Sequence, residues 1–115
     1  MTTQEKLKAI IARVPLDHDY TDEHISMMVI TSYVNDLANL GLIMAAYEVT
    51  PLGKSVVAVC EEFDWQPTNE HIDMFVNELV APEDRRAFRH FIREYRDNRE
   101  VLIKKIKKFK DSQNE

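Results

Sequence analysis

Four histidines, one cysteine and a run of carboxylates are the residues of this chain with chemistry to offer, and their spacing limits what they can do. The histidines are His18, His24, His71 and His90. Metal sites on helices favour Glu-x-x-His or His-x-x-x-His, because those spacings set both ligands on one face. Here Pro15, Thr21, Thr68 and Ala87 stand three residues before the histidines, and no two histidines are four apart. Asp17, His18, Asp19, Asp22, Glu23 and His24 form a local cluster that could catch a divalent ion. A solvated turn running into a helix start accounts for it more simply. Cys60 would need a histidine beside it to act as a nucleophile. It falls on the apolar side of a helical repeat and reads as a small buried hydrophobe. Glu61, Glu62 and Asp64 read as a wet helix face. Gly41 and Gly53 are too few and too far apart to cradle a phosphate, and there is no Gly-x-Ser-x-Gly elbow. The expectation is no catalytic residue, no cofactor and no metal, hence not an enzyme.

The elements that carry these residues are predicted to be mainly α-helical. Residues 3–13 place Leu7, Ile10 and Ile11, with Val14 just beyond, on one helical face. Thr2 and Glu5 have capping-box spacing, and Pro15 stops the helix. Thr21 caps a second helical stretch reaching Leu40, either one long helix or two short ones, with Ile25, Met28, Val29, Tyr33 and Leu37 apolar. Gly41 ends it as a C′ residue. Residues 42–49 are the single candidate strand region, a minimal β-hairpin turning at Ala45–Ala46. Thr50 followed by Pro51 starts a third helix carrying Leu52, Val56, Cys60 and Phe63. Trp65 and Pro67 close it; Phe63 and Trp65 suit either core or interface. Thr68 caps a fourth helix with Ile72, Phe75, Val76, Leu79 and Val80 in a stripe. Pro82 begins a last helix running to about Lys110. With 115 residues and no linker, residues 1–110 form one domain (1–64 and a helical extension, 68–110), followed by a frayed tail at 111–115.

Charge is unevenly laid out along the chain. Residues 1–80 carry four Lys/Arg against thirteen Asp/Glu, net −9; residues 81–115 carry eleven against seven, net +4. One cysteine excludes an internal disulfide, the start is polar, and no apolar run approaches the ~20 residues of a membrane span. A cytoplasmic protein without membrane contact is expected. In the last helix Phe88, Ile92, Tyr95, Arg99, Leu102, Ile106 and Phe109 make a three-four seam. The seam packs either on the chain's own helices or on a second copy as a homodimer. The cluster Lys104, Lys105, Lys107, Lys108 and Lys110 complements the negative end of the helix. Phosphate, or the acidic half of another copy, would suit it too.

Ile30, Val34, Leu37, Gly41, Leu42 and Ile43, followed by Tyr47, Glu48, Val49, Thr50, Pro51, Leu52, Gly53 and Lys54, resemble the second half of a winged helix-turn-helix domain. The first group matches a recognition helix and its exit; the second resembles the Tyr-x-x-Thr-x-x-Gly-Lys/Arg that follows the wing in small regulators. The likeness spans residues 30–57. It implies a winged-helix-like first part and a long C-terminal helix that dimerises. It also implies a partner or DNA face built from Ser32, Tyr33, Asn35, Asp36 and Asn39. That face holds no Lys or Arg, although phosphate neutralisation dominates DNA affinity. The expected role is therefore non-catalytic binding or regulation through protein contacts on an acidic surface. A basic, nucleic-acid-binding protein is a fitting partner. A dimeric DNA-binding regulator is the alternative.

Overall fold

The computed structural model describes residues 2–14, 21–44 and 47–113. Its helices are α1 (Thr3–Arg13), α2 (Asp22–Asn39), α3 (Pro51–Glu62), α4 (Asn69–Leu79) and α5 (Arg85–Gln113), with a 3₁₀ turn at Pro82–Asp84. Threonine side chains start the first four. Thr2, Thr21, Thr50 and Thr68 each accept a hydrogen bond from the backbone N–H three residues on. Two of these are reciprocal boxes closed by histidine: the Thr21 and Thr68 N–H groups donate to Nδ1 of His24 and His71, both at 3.1 Å. The box expected at Thr2 is incomplete, because the Thr2 hydroxyl itself engages the Glu5 carboxylate.

The ends of α2 and α3 share one mechanism. After α2, Gly41 takes φ +80°, Gly41 N–H donates to Ala38 and Leu42 N–H reaches back to Leu37. This is a Schellman turn. After α3 the same pattern runs from Asp64 N–H to Glu61 and from Trp65 N–H to Cys60, but with Asp64 at φ +54°. A residue with a Cβ bears a conformational cost there that glycine escapes.

α2 is the central element and packs on α3, α4 and α5, while α1 leans on α3. It is one unbroken helix. Ile25, Val29, Ile30, Val34 and Leu37 are buried on it, against Val56 of α3, Ile72, Phe75 and Val76 of α4, and Ile92 of α5. Each such side chain stabilises the fold by roughly 1.5–3 kcal/mol relative to exposure. Ser26 is buried in the same core with no partner for its hydroxyl among the described residues.

Three expectations are corrected. Residues 42–44 and 47–49 form no strand, and no strand occurs among the described residues; Ala45–Ala46 lie outside them. A two-residue turn there lacks the Gly or Asn it needs. The segment is instead held by side chains: Ile43 is buried, and Tyr47 crosses to α4, donating to the Leu79 carbonyl at 3.4 Å. The last helix starts at Arg85 and is interrupted at Asn98 (φ −137°, ψ 42°). Asparagine suits such a break, because its short amide competes for backbone hydrogen bonds. Finally, the helix extends to Gln113, past the end expected at about Lys110. The radius of gyration is 15.1 Å and the longest extent 51 Å. A compact chain of this length would have a radius of about 13 Å, so the molecule is elongated.

Candidate functional site

The face predicted on α2 is divided by α5. Asn39 is exposed, and Ser32, Asn35 and Asp36 are half-buried, but Tyr33 is only 5% exposed. Its ring meets Tyr95 edge-on at 5.1 Å. The Arg99 guanidinium lies 4.4 Å from the Tyr95 ring and 5.4 Å from that of Tyr33. Tyr95 Oη donates to Asp36 Oδ2 at 2.5 Å, and Arg99 bonds Glu61 Oε1 at 3.3 Å. Burial, reinforced by the Asp36 carboxylate, pushes the Tyr95 hydroxyl well above its ordinary range, so it stays a donor. Tyr33 is therefore mostly covered within the chain, and Asp36 is already engaged. Arg99, the one charged member of the seam, is explained by two aromatic faces and a carboxylate.

Around this cluster the kink at Asn98 opens a cleft of about 430 Å³, with Tyr33, Trp65, Gln66, Arg96 and Arg99 among its walls. Its arginines face other tasks. Arg96 holds Asp97 and the Pro67 carbonyl, and Gln66 bonds the Arg96 carbonyl. The cleft is a polar gap whose arginines are engaged within the chain, while the buried Trp65 Nε1 among its walls has no hydrogen-bond partner among the described residues.

Three more arginines of α5 before the kink also turn inward, while Arg86 is exposed. Arg85 donates to the Val80 and Asn77 carbonyls at 2.9 and 3.0 Å, closing the end of α4. Arg89 and Arg93 share Asp73 Oδ1 at 2.8 and 3.2 Å. Sequence reasoning counted these cations without placing them. The signal was present: Asp73 and Asn77, four apart on α4, face Arg89 and Arg93, four apart on α5.

The seam splits in the same way. Phe88, Ile92, Tyr95 and Leu102 are buried by this chain's own helices. Ile106 is half-buried and Phe109 is 63% exposed. Beside them lies an apolar groove of about 440 Å³, lined by Leu40, Gly41 and Leu42 from the exit of α2 and by Lys105, Ile106, Phe109 and Lys110 from α5. Lys104, Lys105, Lys107, Lys108 and Lys110 are exposed. None joins an ion pair among the described residues, and the Glu100–Lys104 pair that helical spacing allows does not close. On the body, Glu23, Glu48, Asp64, Glu70 and Glu78 are exposed carboxylates that likewise make no ion pair among the described residues.

Cys60 is buried, and desolvation, with Glu61 adding to it, pushes its thiol up to about 12. The nucleophilic thiolate is therefore scarce at neutral pH. His71 sits at the start of α4 with Nε2 3.4 Å from Asp22 Oδ2. Asp17, His18 and Asp19 lie outside the described residues; among the described ones no three His, Cys, Asp or Glu gather to hold a metal ion. No described helix is long and apolar enough to cross a membrane. Compared with known proteins, the chain matches no protein-family model, no curated protein and no solved structure.

Proposed function

We propose that this chain is a non-catalytic binding or regulatory protein that acts through protein–protein contacts made by the acidic surface of its helical body. The observation that carries this reading is the state of its charges. Glu23, Glu48, Asp64, Glu70 and Glu78 stand exposed without ion-pair partners among the described residues, while Arg85, Arg89, Arg93, Arg96 and Arg99 of α5 are held by carbonyls, Asp73, Asp97 and Glu61. Uncompensated surface charge steers association and selects partners of the opposite sign. A basic protein, including one whose nucleic-acid site this surface would occupy, fits that selection.

Affinity capture with charge reversal tests it. Immobilised wild type should retain a basic partner from its native lysate at low salt, and the triple variant E23K/E70K/E78K should release it. Retention unchanged by the triple reversal contradicts the proposal.

A second reading, a winged-helix-like dimeric DNA-binding regulator, has one observation in its favour. The five free lysines after the kink could contact phosphates, with Ser32, Asn35 and Asn39 nearest to the bases. Against it, Tyr33 is 5% exposed and Asp36 already accepts a hydrogen bond from Tyr95.

A further inference from the structure

The far end of α5 is an amphipathic helix with its apolar line only partly covered. Leu102 is buried, Ile106 half-buried and Phe109 mostly exposed. At about 100° of turn per residue, Lys105 and Lys110 stand roughly 70° to either side of that line, whereas Lys104, Lys107 and Lys108 project from the back. The groove against Leu40 and Leu42 is therefore apolar along its floor and cationic on both rims.

Whatever covers it must bring an apolar side chain to Phe109 and carboxylates to the two lysines. A phosphate backbone would satisfy the lysines and leave Ile106 and Phe109 wet. A second α5 end would set lysine against lysine, since like charges face one another in such a pairing. The chain itself presents the complementary surface elsewhere. On α4, Glu70, Met74 and Glu78 follow at intervals of four, all are exposed, and neither carboxylate is ion-paired among the described residues. Met74 is an adaptable thioether suited to an irregular apolar floor. The two carboxylates lie about 12 Å apart along their helix at ~1.5 Å per residue. Lys105 and Lys110 flank the groove on flexible four-carbon stems that can span such a distance.

We propose that a second copy of this chain docks the Glu70–Met74–Glu78 stripe of its α4 into the groove between Lys105 and Lys110, over Ile106 and Phe109. The contact joins unlike patches. It closes as a pair where both groove–stripe contacts form together and propagates where they do not. Its small area makes it weak and concentration-dependent, and its exposed rims make it salt-sensitive. It does not rest on recognition of a basic partner, and it would compete with such a partner for Glu70 and Glu78.

Charge swapping tests the proposal in sedimentation-velocity dilution series, with circular dichroism confirming that each variant is folded. Wild type should associate at low salt and dissociate at high salt. E70K/E78K alone and K105E/K110E alone should each weaken association at least about tenfold, a change of ~1.4 kcal/mol. Mixed together, the two variants should associate again, because each then offers the other an opposite charge. A wild type that stays monomeric at every concentration overturns the proposal, whatever it does with basic partners. So does association that survives either double variant, or a mixture that remains monomeric. Duplex DNA bound by monomeric wild type and lost in K105E/K110E would assign the lysines to nucleic acid instead.

Discussion

The two halves of α5, residues 85–97 and residues 99–113, are alike in charge density and opposite in use. Before the kink there are five arginines, and all but the exposed Arg86 point inward: Arg85 onto the last carbonyls of α4, Arg89 and Arg93 onto Asp73, Arg96 onto the Pro67 carbonyl. The apolar seam between them is sealed, with Ile92 fully buried. After the kink Arg99 still turns inward, but the cations beyond it are lysines, they point outward, and the seam emerges at Phe109. Arginine offers a planar fork that holds several acceptors at once, while a lysine ammonium is compact and strongly hydrated. The first half is structure; the second is surface. A net charge summed over the sequence merges the two, and only the side that each cation faces reveals which of them a partner can meet.

This contrast can be broken at several strengths. The largest effect is expected in thiol reactivity. Cys60 is buried with its thiol pushed up to about 12, so at pH 8 it is almost wholly protonated, and raising the pH toward 12 is what generates thiolate. Iodoacetamide should modify native Cys60 more than about a hundredfold more slowly than a cysteine placed on the outer half by Lys107→Cys, in a Cys60→Ala background. Comparable rates would mean that the core opens readily. In urea unfolding, Ile92→Ala should cost about 3 kcal/mol, as expected for a fully buried isoleucine. Phe109→Ala, on the open half, should stay within about 0.5 kcal/mol. Equal losses would erase the distinction between the halves. Arg85→Ala removes two bonds to carbonyls at the end of α4 and should cost about 1–2 kcal/mol, against almost nothing for Lys107→Ala. The smallest effects are gains. Asp64→Gly relieves a positive-φ residue and removes a negative charge from the end of α3, raising stability by about 1 kcal/mol. Ser26→Ala, which deletes a buried hydroxyl without a partner, should be neutral or stabilising by a similar amount. A clear loss of stability in either variant would show a partner for that side chain.

Much of the helical frame is legible in the sequence because its signals are local. Thr21, Thr50 before Pro51, and Thr68 mark helix starts, and Gly41 marks an end, through hydrogen bonds that close within a few residues. The apolar spacing of Ile72, Phe75 and Val76 likewise identifies the buried face of α4. Features that depend on neighbours distant in sequence are harder to read. The Schellman turn after α3 uses Asp64 where glycine would have announced it. Asn98 interrupts a helix that periodicity alone carries through. Tyr33 satisfies both the apolar spacing of α2 and the expected partner face, and only the arrival of Tyr95 and Arg99 decides between them. The seam shows which residues share a line on α5, but where α2 and α4 stop covering that line is a tertiary fact.

We propose that the exposed charge of this chain addresses proteins before nucleic acids. A fluorescence-anisotropy titration of a labelled DNA duplex with wild-type chain at low ionic strength puts that order to the most direct test. The predicted trace is flat. A saturating rise that falls away steeply as salt is added, the signature of counterion release from neutralised phosphates, would contradict it.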